Sequence, residues 1–283
     1  MSATRSTQSI IKQARQKLAE AGIWDVEADL NCLVDRFIER ADPDRAQREF
    51  MLAVNERCRR IPLGHITGMV EFDGLPLVVG SGVFIPRPHS AVIHKWLASR
   101  HDIPPGGQVL DLCAGTGAIG MAIAKRRPDL RVTCVEHENV PYQYLERNAS
   151  RLLMQGVRIT PKQADIADPA SLAQFERTAC LVTANPPYVP STTELLPEWG
   201  VHHPQAAIYS GADGLDIARK IIHASRALLV PAGWLVIEHG DSQAEAMRAG
   251  LRISGYAAIE TIVDPEASDA TGASVITIGQ QPN

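Results

Sequence analysis

Gln108-Val-Leu-Asp-Leu-Cys-Ala-Gly-Thr-Gly-Ala-Ile-Gly120 is the stretch whose reading decides the fold. Its first five residues are an apolar strand interrupted by one acid, Asp111, and residues 118–125 read as a helix. Between them the glycines Gly115 and Gly117 permit a sharp turn and let a ligand approach where no Cβ intrudes. Strand, glycine turn and helix together are the opening unit of a nucleotide-binding α/β sheet. The spacing G-T-G-x-x-G is close to that of dinucleotide-binding folds and is weak evidence alone. Asp111, ahead of the glycines, favours a different nucleoside, one carrying an ammonium that a carboxylate attracts directly or through water.

Working outward, strand-like and helical segments alternate from Val83 onward. Val132-Thr-Cys-Val-Glu136 is a second strand, followed by a helix around Tyr142 to Leu153. Ala179-Cys-Leu-Val-Thr-Ala184 is the next clear strand. A helix over 217–229, a strand Trp234-Leu-Val-Ile-Glu238, a helix over 244–253 and closing strands over 257–263 and 274–278 complete the pattern. Such alternation predicts an α/β fold with a doubly wound, mostly parallel sheet. Ahead of it, Ile10, Ile11, Ala14, Leu18 and Ala21 recur at helical spacing, as do Ala28, Leu30, Leu33, Val34 and Phe37. Asp42-Pro-Asp44 breaks that pattern, and Asp44 is placed to cap a third helix. Ile66 to Phe72 and Leu75 to Val79, joined by the turn signal Asp73-Gly74, predict a β-hairpin. The expected division is a small helical domain over 1–62, a hairpin connector over 63–88 and the α/β domain over 89–283.

Each motif that carries chemistry falls at the end of a predicted strand, where ligands of such sheets bind. Glu136 lies about 20 residues beyond the glycines, the place of an acid that accepts from ribose hydroxyls. Asp165, in Gln163-Ala-Asp-Ile166, is placed to accept from an adenine amino group. Asn185-Pro186-Pro187-Tyr188 follows the third strand. Two prolines fix φ and remove donors, which leaves carbonyls rigidly aimed. The Asn185 side-chain oxygen and the Pro186 carbonyl are two acceptors for a planar –NH2 group, and Tyr188 offers it a flat face. The chemistry indicated is transfer to an amide or amino nitrogen.

Composition narrows the classes. No apolar run approaches the ~20 residues of a membrane helix, and no hydrophobic leader opens the chain, so a cytoplasmic protein without a membrane partner is expected. Five cysteines are scattered with no C-x-x-C pair, and nine histidines form no H-E-x-x-H pattern; neither a disulfide framework nor a metal site is expected. A net charge of −4 argues against a nucleic-acid target, since phosphate contacts call for a basic footprint.

The run D-x-C-A-G-T-G-A-I-G followed by N-P-P-Y resembles class I (Rossmann-like) methyltransferases that use S-adenosylmethionine, and more narrowly the HemK/PrmC group. Further matching segments are Pro62 to Gly68 with Glu71-Phe72, Phe84-Ile-Pro-Arg-Pro88, Gly211-Ala-Asp-Gly-Leu215, and Glu238-His-Gly240 with Gln243. The resemblance implies methylation of the side-chain amide of a glutamine, in the Gly-Gly-Gln loop of a peptide-chain release factor, with S-adenosylhomocysteine as product. By the same resemblance Asp111, Cys113, Ala114, Gly115, Thr116 and Gly117 line the methionine and ribose of the cofactor, and Glu136 binds the ribose. Asp165 and Ile166 flank the adenine, Asn185 to Tyr188 grip the amide beside the cofactor, and Arg87 supports the substrate. Three places depart from the family pattern: His89-Ser90 and His203-Pro204 stand where an acid is usual, and 269–274 lacks an arginine. The alternatives are N-methylation of a small amide or amine, N-methylation of adenine or guanine in nucleic acid, and a cofactor-binding regulator without activity. The helical domain and the loop 189–209 are where acceptor recognition is expected.

Overall fold

The computed structural model of the chain describes residues 2–38, 43–269 and 272–283. It opens with α1 (Ser2–Glu20), α2 (Val26–Phe37), α3 (Pro43–Cys58) and the short α4 (Leu63–Thr67). Asp25 caps α2 by accepting from the Ala28 amide at 2.9 Å. The apolar stripes of these helices close on a core that includes Leu18, Leu30, Leu33, Phe50 and Val54. The break read at Asp42 lies outside the described residues, as does the side chain of Asp44, a position inside α3.

Gly68, at φ 74°, turns the chain out of α4 and into a hairpin of β1 (Met69–Phe72) and β2 (Leu75–Val78). Asp73 and Gly74 both take positive φ, 52° and 67°, as a two-residue hairpin turn requires. Ile66 and Thr67 are not strand, contrary to expectation. Ile66 packs against the helical core, and Thr67 Oγ1 donates back to the Leu63 carbonyl at 3.1 Å, so both complete a helical turn.

The main sheet contains β3 (Gln108–Leu112), β4 (Arg131–Glu136), β5 (Ile159–Gln163), β6 (Ala179–Ala184), β7 (Leu229–Glu238), β8 (Ala257–Asp269) and β9 (Gly272–Gln280). Their spatial order is β5-β4-β3-β6-β7-β9-β8, with β9 antiparallel to both of its neighbours and the other pairings parallel. The doubly wound, mostly parallel sheet read from the alternation is therefore present. Alternate residues of each central strand enter two different cores. Val109, Leu181 and Val236 pack against α5 (Ala91–Ala98), α6 (Ala118–Arg126) and α7 (Asn139–Leu153). Leu110, Val182 and Leu235 face the other side, where α8 (Pro169–Leu172) lies; α9 (Pro197–Gly200) is in the loop after β6, and α10 (Asp216–Leu228) and α11 (Ala244–Ile253) complete the second core. Truncating a fully buried leucine such as Leu110 costs about 2–5 kcal/mol in a core of this density.

From β3 the chain runs outward through β4 and β5, and from β6 it runs the opposite way to β7. The strand order therefore reverses between β3 and β6, and a crevice opens beyond their carboxyl ends. Register pairs Leu112 with Ala184 on one side and with Val135 on the other. The next residues, Cys113, Asn185 and Glu136, are brought to one edge in consequence.

Candidate active site

A cavity of about 760 Å³ fills that crevice, within the ~300–1,000 Å³ usual for small-molecule sites. It is lined by Cys113, Ala114, Gly115 and Thr116 together with Glu136, Asp165 and Ile166. Arg87 and the four residues Asn185, Pro186, Pro187 and Tyr188 line it as well. These predicted residues, from five separate segments, share one cavity.

Backbone geometry explains the glycine turn. Cys113, Gly115 and Gly117 all have positive φ, at 55°, 56° and 90°. A Cβ on Gly115 would meet no atom within 4 Å, so glycine there serves conformation and leaves open space above it. A Cβ on Gly117 would come within 2.6 Å of Leu145 Cδ1, so this glycine lets the turn pack on α7. Gly117 itself is not among the residues that line the cavity.

Asp111 lies beneath the turn. Its side chain is completely buried, and both oxygens are spent on the scaffold: Oδ2 accepts from the Gly120 amide at 2.9 Å and Oδ1 from Thr183 Oγ1 at 2.9 Å. Because Leu110 and Leu112 face one core, Asp111 points to the opposite face and lies beneath the first turn of α6. Burial raises its carboxyl to about 7, opposed by those two hydrogen bonds. It braces the turn from beneath.

Glu136 does reach the cavity. Its Oε2 accepts from the Gly115 amide and its Oε1 from the Glu138 amide, each at 2.8 Å. Each oxygen keeps further acceptor capacity, suited to a vicinal diol. Burial raises its carboxyl against the pull of these amides. Asp165 spends Oδ1 on the Ala167 amide at 2.8 Å. Thr116 Oγ1 is buried at the cavity wall without a hydrogen-bond partner among the described residues.

Asn185 is half-buried, and its Nδ2 donates to Ser90 Oγ at 3.0 Å. No described residue donates to Asn185 Oδ1 or to the Pro186 carbonyl, so both acceptors remain available. The Tyr188 carbonyl is held from behind by Gln243 Nε2 at 2.8 Å, which also donates to the Asp213 carbonyl at 2.9 Å. Gly214 passes so close that a Cβ there would lie 2.1 Å from the Tyr188 oxygen. The segments around Gly211 and Glu238 thus grip the tetrapeptide from outside the cavity.

Besides Phe84, which lies in a segment already quoted, four contributors escaped the sequence reading. Trp199 stacks on His203 with ring centroids 4.8 Å apart, and Phe84 packs against both rings. The Arg87 guanidinium lies 4.9 Å from the centroid of the Trp199 ring, a cation–π contact. Burial pulls the His203 imidazole down to about 4, so a neutral ring stands where an acid was expected. Ser90, met only as half of an atypical dipeptide, turns out to hold Asn185. Buried Asn148 on α7 is the fourth: it bonds the Val78 amide and carbonyl and the Thr116 carbonyl, at 2.8, 3.0 and 3.1 Å. An asparagine after a helical apolar pattern carries no mark of such a role.

Comparison with known proteins gives three findings. Residues 89–195 match the family model described as methyltransferase small domain. A release factor glutamine methyltransferase of Mycolicibacterium smegmatis is 35% identical over 242 residues, spanning 82% of this chain and 84% of that protein. Another, from Bifidobacterium longum, is 36% identical over 276 residues, spanning 89% and 93%. Among solved structures, a methyltransferase from Pyrococcus furiosus superposes with a TM-score of 0.50 at 14% identity, covering 74% of this chain and 90% of that one; it speaks to the fold.

Proposed function

The chain belongs to the release factor glutamine methyltransferases, with the class I methyltransferase fold, and we propose that it methylates the side-chain amide nitrogen of a glutamine in a peptide-chain release factor. The observation that carries this reading is the pair of unclaimed acceptors, Asn185 Oδ1 and the Pro186 carbonyl, beside the glycine turn at one cavity wall. A primary amide offers two N–H donors in one plane, which matches them.

S-adenosylmethionine is the methyl donor we infer. The residues present fit it: Gly115 leaves open space above the turn, Glu136 offers oxygens to a diol, and the Thr116 hydroxyl awaits a partner. When bound, this cofactor supplies an activated methyl group on a sulfonium. In our reading Cys113 to Thr116 and Glu136 hold its amino acid and ribose, and Asp165 and Ile166 its adenine. Burial holds the Cys113 thiol protonated, so it does not compete as a nucleophile.

The acceptor problem falls to the chain's own residues. A carboxamide nitrogen is a poor nucleophile because its lone pair is delocalised into the carbonyl. Accepting both N–H groups at Asn185 Oδ1 and the Pro186 carbonyl draws density back to nitrogen and strengthens as positive charge develops there, which is transition-state stabilisation. Tyr188 covers the amide plane and excludes water. Proton loss to solvent follows transfer and needs no resident base. Arg87 and Trp199 form the wall on which the glutamine-bearing loop, most simply a Gly-Gly-Gln loop, comes to rest. The helical unit at 1–62 docks the rest of the release factor, in the cytoplasm where such factors work.

Incubation with labelled S-adenosylmethionine and a release factor tests the reading. One methyl on the glutamine amide supports it; label in RNA or in a small amide, with the release factor untouched, would overturn it.

A further inference from the structure

A buried carboxyl stands behind the catalytic asparagine with no part in the mechanism above. Glu238 ends β7 and is only 3% exposed. The register of β6 and β7 pairs Ala184 with Ile237, so Asn185 and Glu238 are neighbours across the sheet, just beyond the last paired residues. Ser90, equally buried, lies in the turn Pro88–Ser90 that precedes α5. Its hydroxyl accepts from Asn185 Nδ2 at 3.0 Å and opposes the rise that burial imposes on the Glu238 carboxyl. The second carboxyl oxygen, Oε2, is buried without a hydrogen-bond partner among the described residues. A carboxyl so placed costs stability, so folding alone does not account for it.

Donor and acceptor counts fix the direction of this chain. A serine hydroxyl has one proton and two lone pairs. Because Asn185 Nδ2 donates to it, Ser90 meets Asn185 as an acceptor and keeps its own proton for the side of Glu238. The Asn185 amide therefore turns its NH2 to Ser90 and its oxygen to the cavity. Hydrogen bonds in series also polarise one another, so Glu238, whenever it is ionised, increases the electron density on Asn185 Oδ1. We infer that Ser90 and Glu238 are positioning residues that lock the Asn185 amide in the orientation, and strengthen the acceptor, that the substrate amide requires. The inference rests on the glutamine-amide reading of the same cavity.

The test is steady-state and single-turnover kinetics on four forms of the full chain: wild type, Ser90→Ala, Glu238→Gln, and Ser90→Ala combined with Asn185→Ala, with Asn185→Ala alone as reference. Ser90→Ala should lower kcat by about tenfold, the rate equivalent of one hydrogen bond, while cofactor affinity and thermal midpoint stay near wild type. Glu238→Gln keeps an acceptor for Ser90 but removes the charge, so its kcat should fall between the two. In the Asn185→Ala background, losing Ser90 should cost nothing further, because the group it positions is gone. A Ser90→Ala kcat within twofold of wild type overturns the inference, as do losses that multiply in the double variant. Wild-type transfer to the glutamine amide is the control: its absence sinks the proposed function, whereas the other two outcomes sink this inference alone.

Discussion

At Asn185 the account makes its sharpest demand on a single side chain. Replacing Asn185 by alanine removes one oriented acceptor from the reacting amide, and turnover should fall by at least ~100-fold. Cofactor affinity, read by calorimetry, should change little, because the glycine turn and Glu136 are untouched. Gly120 makes a demand of a different kind. A Cβ there would sit 2.2 Å from Cys134 Sγ and 3.1 Å from Asp111 Oδ2, so Gly120→Ala overpacks a closed site. Loss of about 1–3 kcal/mol in urea unfolding is expected, with inactivity following from the displaced turn. Glu136 and Asn185 stand out in the sequence because apolar strand residues lead straight into them, whereas Asp165 follows the mostly polar β5 and stands out only by its order after them. Asp111 is harder to read, because only the packed helix decides whether an acid near the end of a strand faces ligand or scaffold.

Elements differ in legibility for physical reasons. β3, β4 and β6 are buried on both faces and read as apolar runs. β5 was missed because it is the edge of the sheet: Ile159-Thr-Pro-Lys-Gln163 is mostly polar, and Pro161 is tolerated where only β4 needs a partner. β7 begins at Leu229, well before the strand read at Trp234, because Pro231-Ala-Gly233 passes for a turn; the register shift against β6 in this region absorbs it. The loop after Tyr188 owes its position to contacts invisible in sequence. Glu198 in α9 pairs with Arg57 at 3.2 Å and Arg60 at 2.7 Å, and Arg57 also pairs with Asp29 at 2.6 Å. These groups are largely buried, so the helical unit and the loop that carries Trp199 are joined by one ion cluster. Glu198→Ala releases the loop from Arg57, which keeps Asp29, and from Arg60, and should raise KM for the protein acceptor severalfold. The effect on a free glutamine-containing tripeptide should be much smaller. Equal effects on both acceptors would show that the cluster does not couple docking to the cavity.

Across the whole molecule, the alternating strands and helices made the sheet legible, and the matching motifs made its chemistry legible; the assembly of three segments around Asn185 was not. Stability against pH is the property that sums over the fold. The imidazoles of His94 and His203 are held down to about 4 by burial, below the ~6.5 of an exposed histidine. Their neutral forms favour the folded state fully above ~6.5, and that contribution is lost as pH falls through the window to about 4. Asp111 and Glu238, raised to about 7, act in the opposite sense: their contribution is full below the ordinary carboxylate range and lost as pH rises toward and through 7. The two pairs act against each other between pH 4 and 7. His203→Phe keeps a ring beside Trp199 and removes one side of that balance. Relative to wild type it should gain stability steadily as urea unfolding is repeated from pH 7 down to pH 4.5; a constant difference would contradict the buried neutral imidazole.

Tandem mass spectrometry of a release factor treated with S-adenosylmethionine and either wild-type or Asn185→Ala protein tests the central claim most directly. The account predicts a single methyl, on the side-chain nitrogen of one glutamine, formed at least ~100-fold more slowly by the variant. A methyl on any other atom, or equal rates from the two proteins, would contradict it.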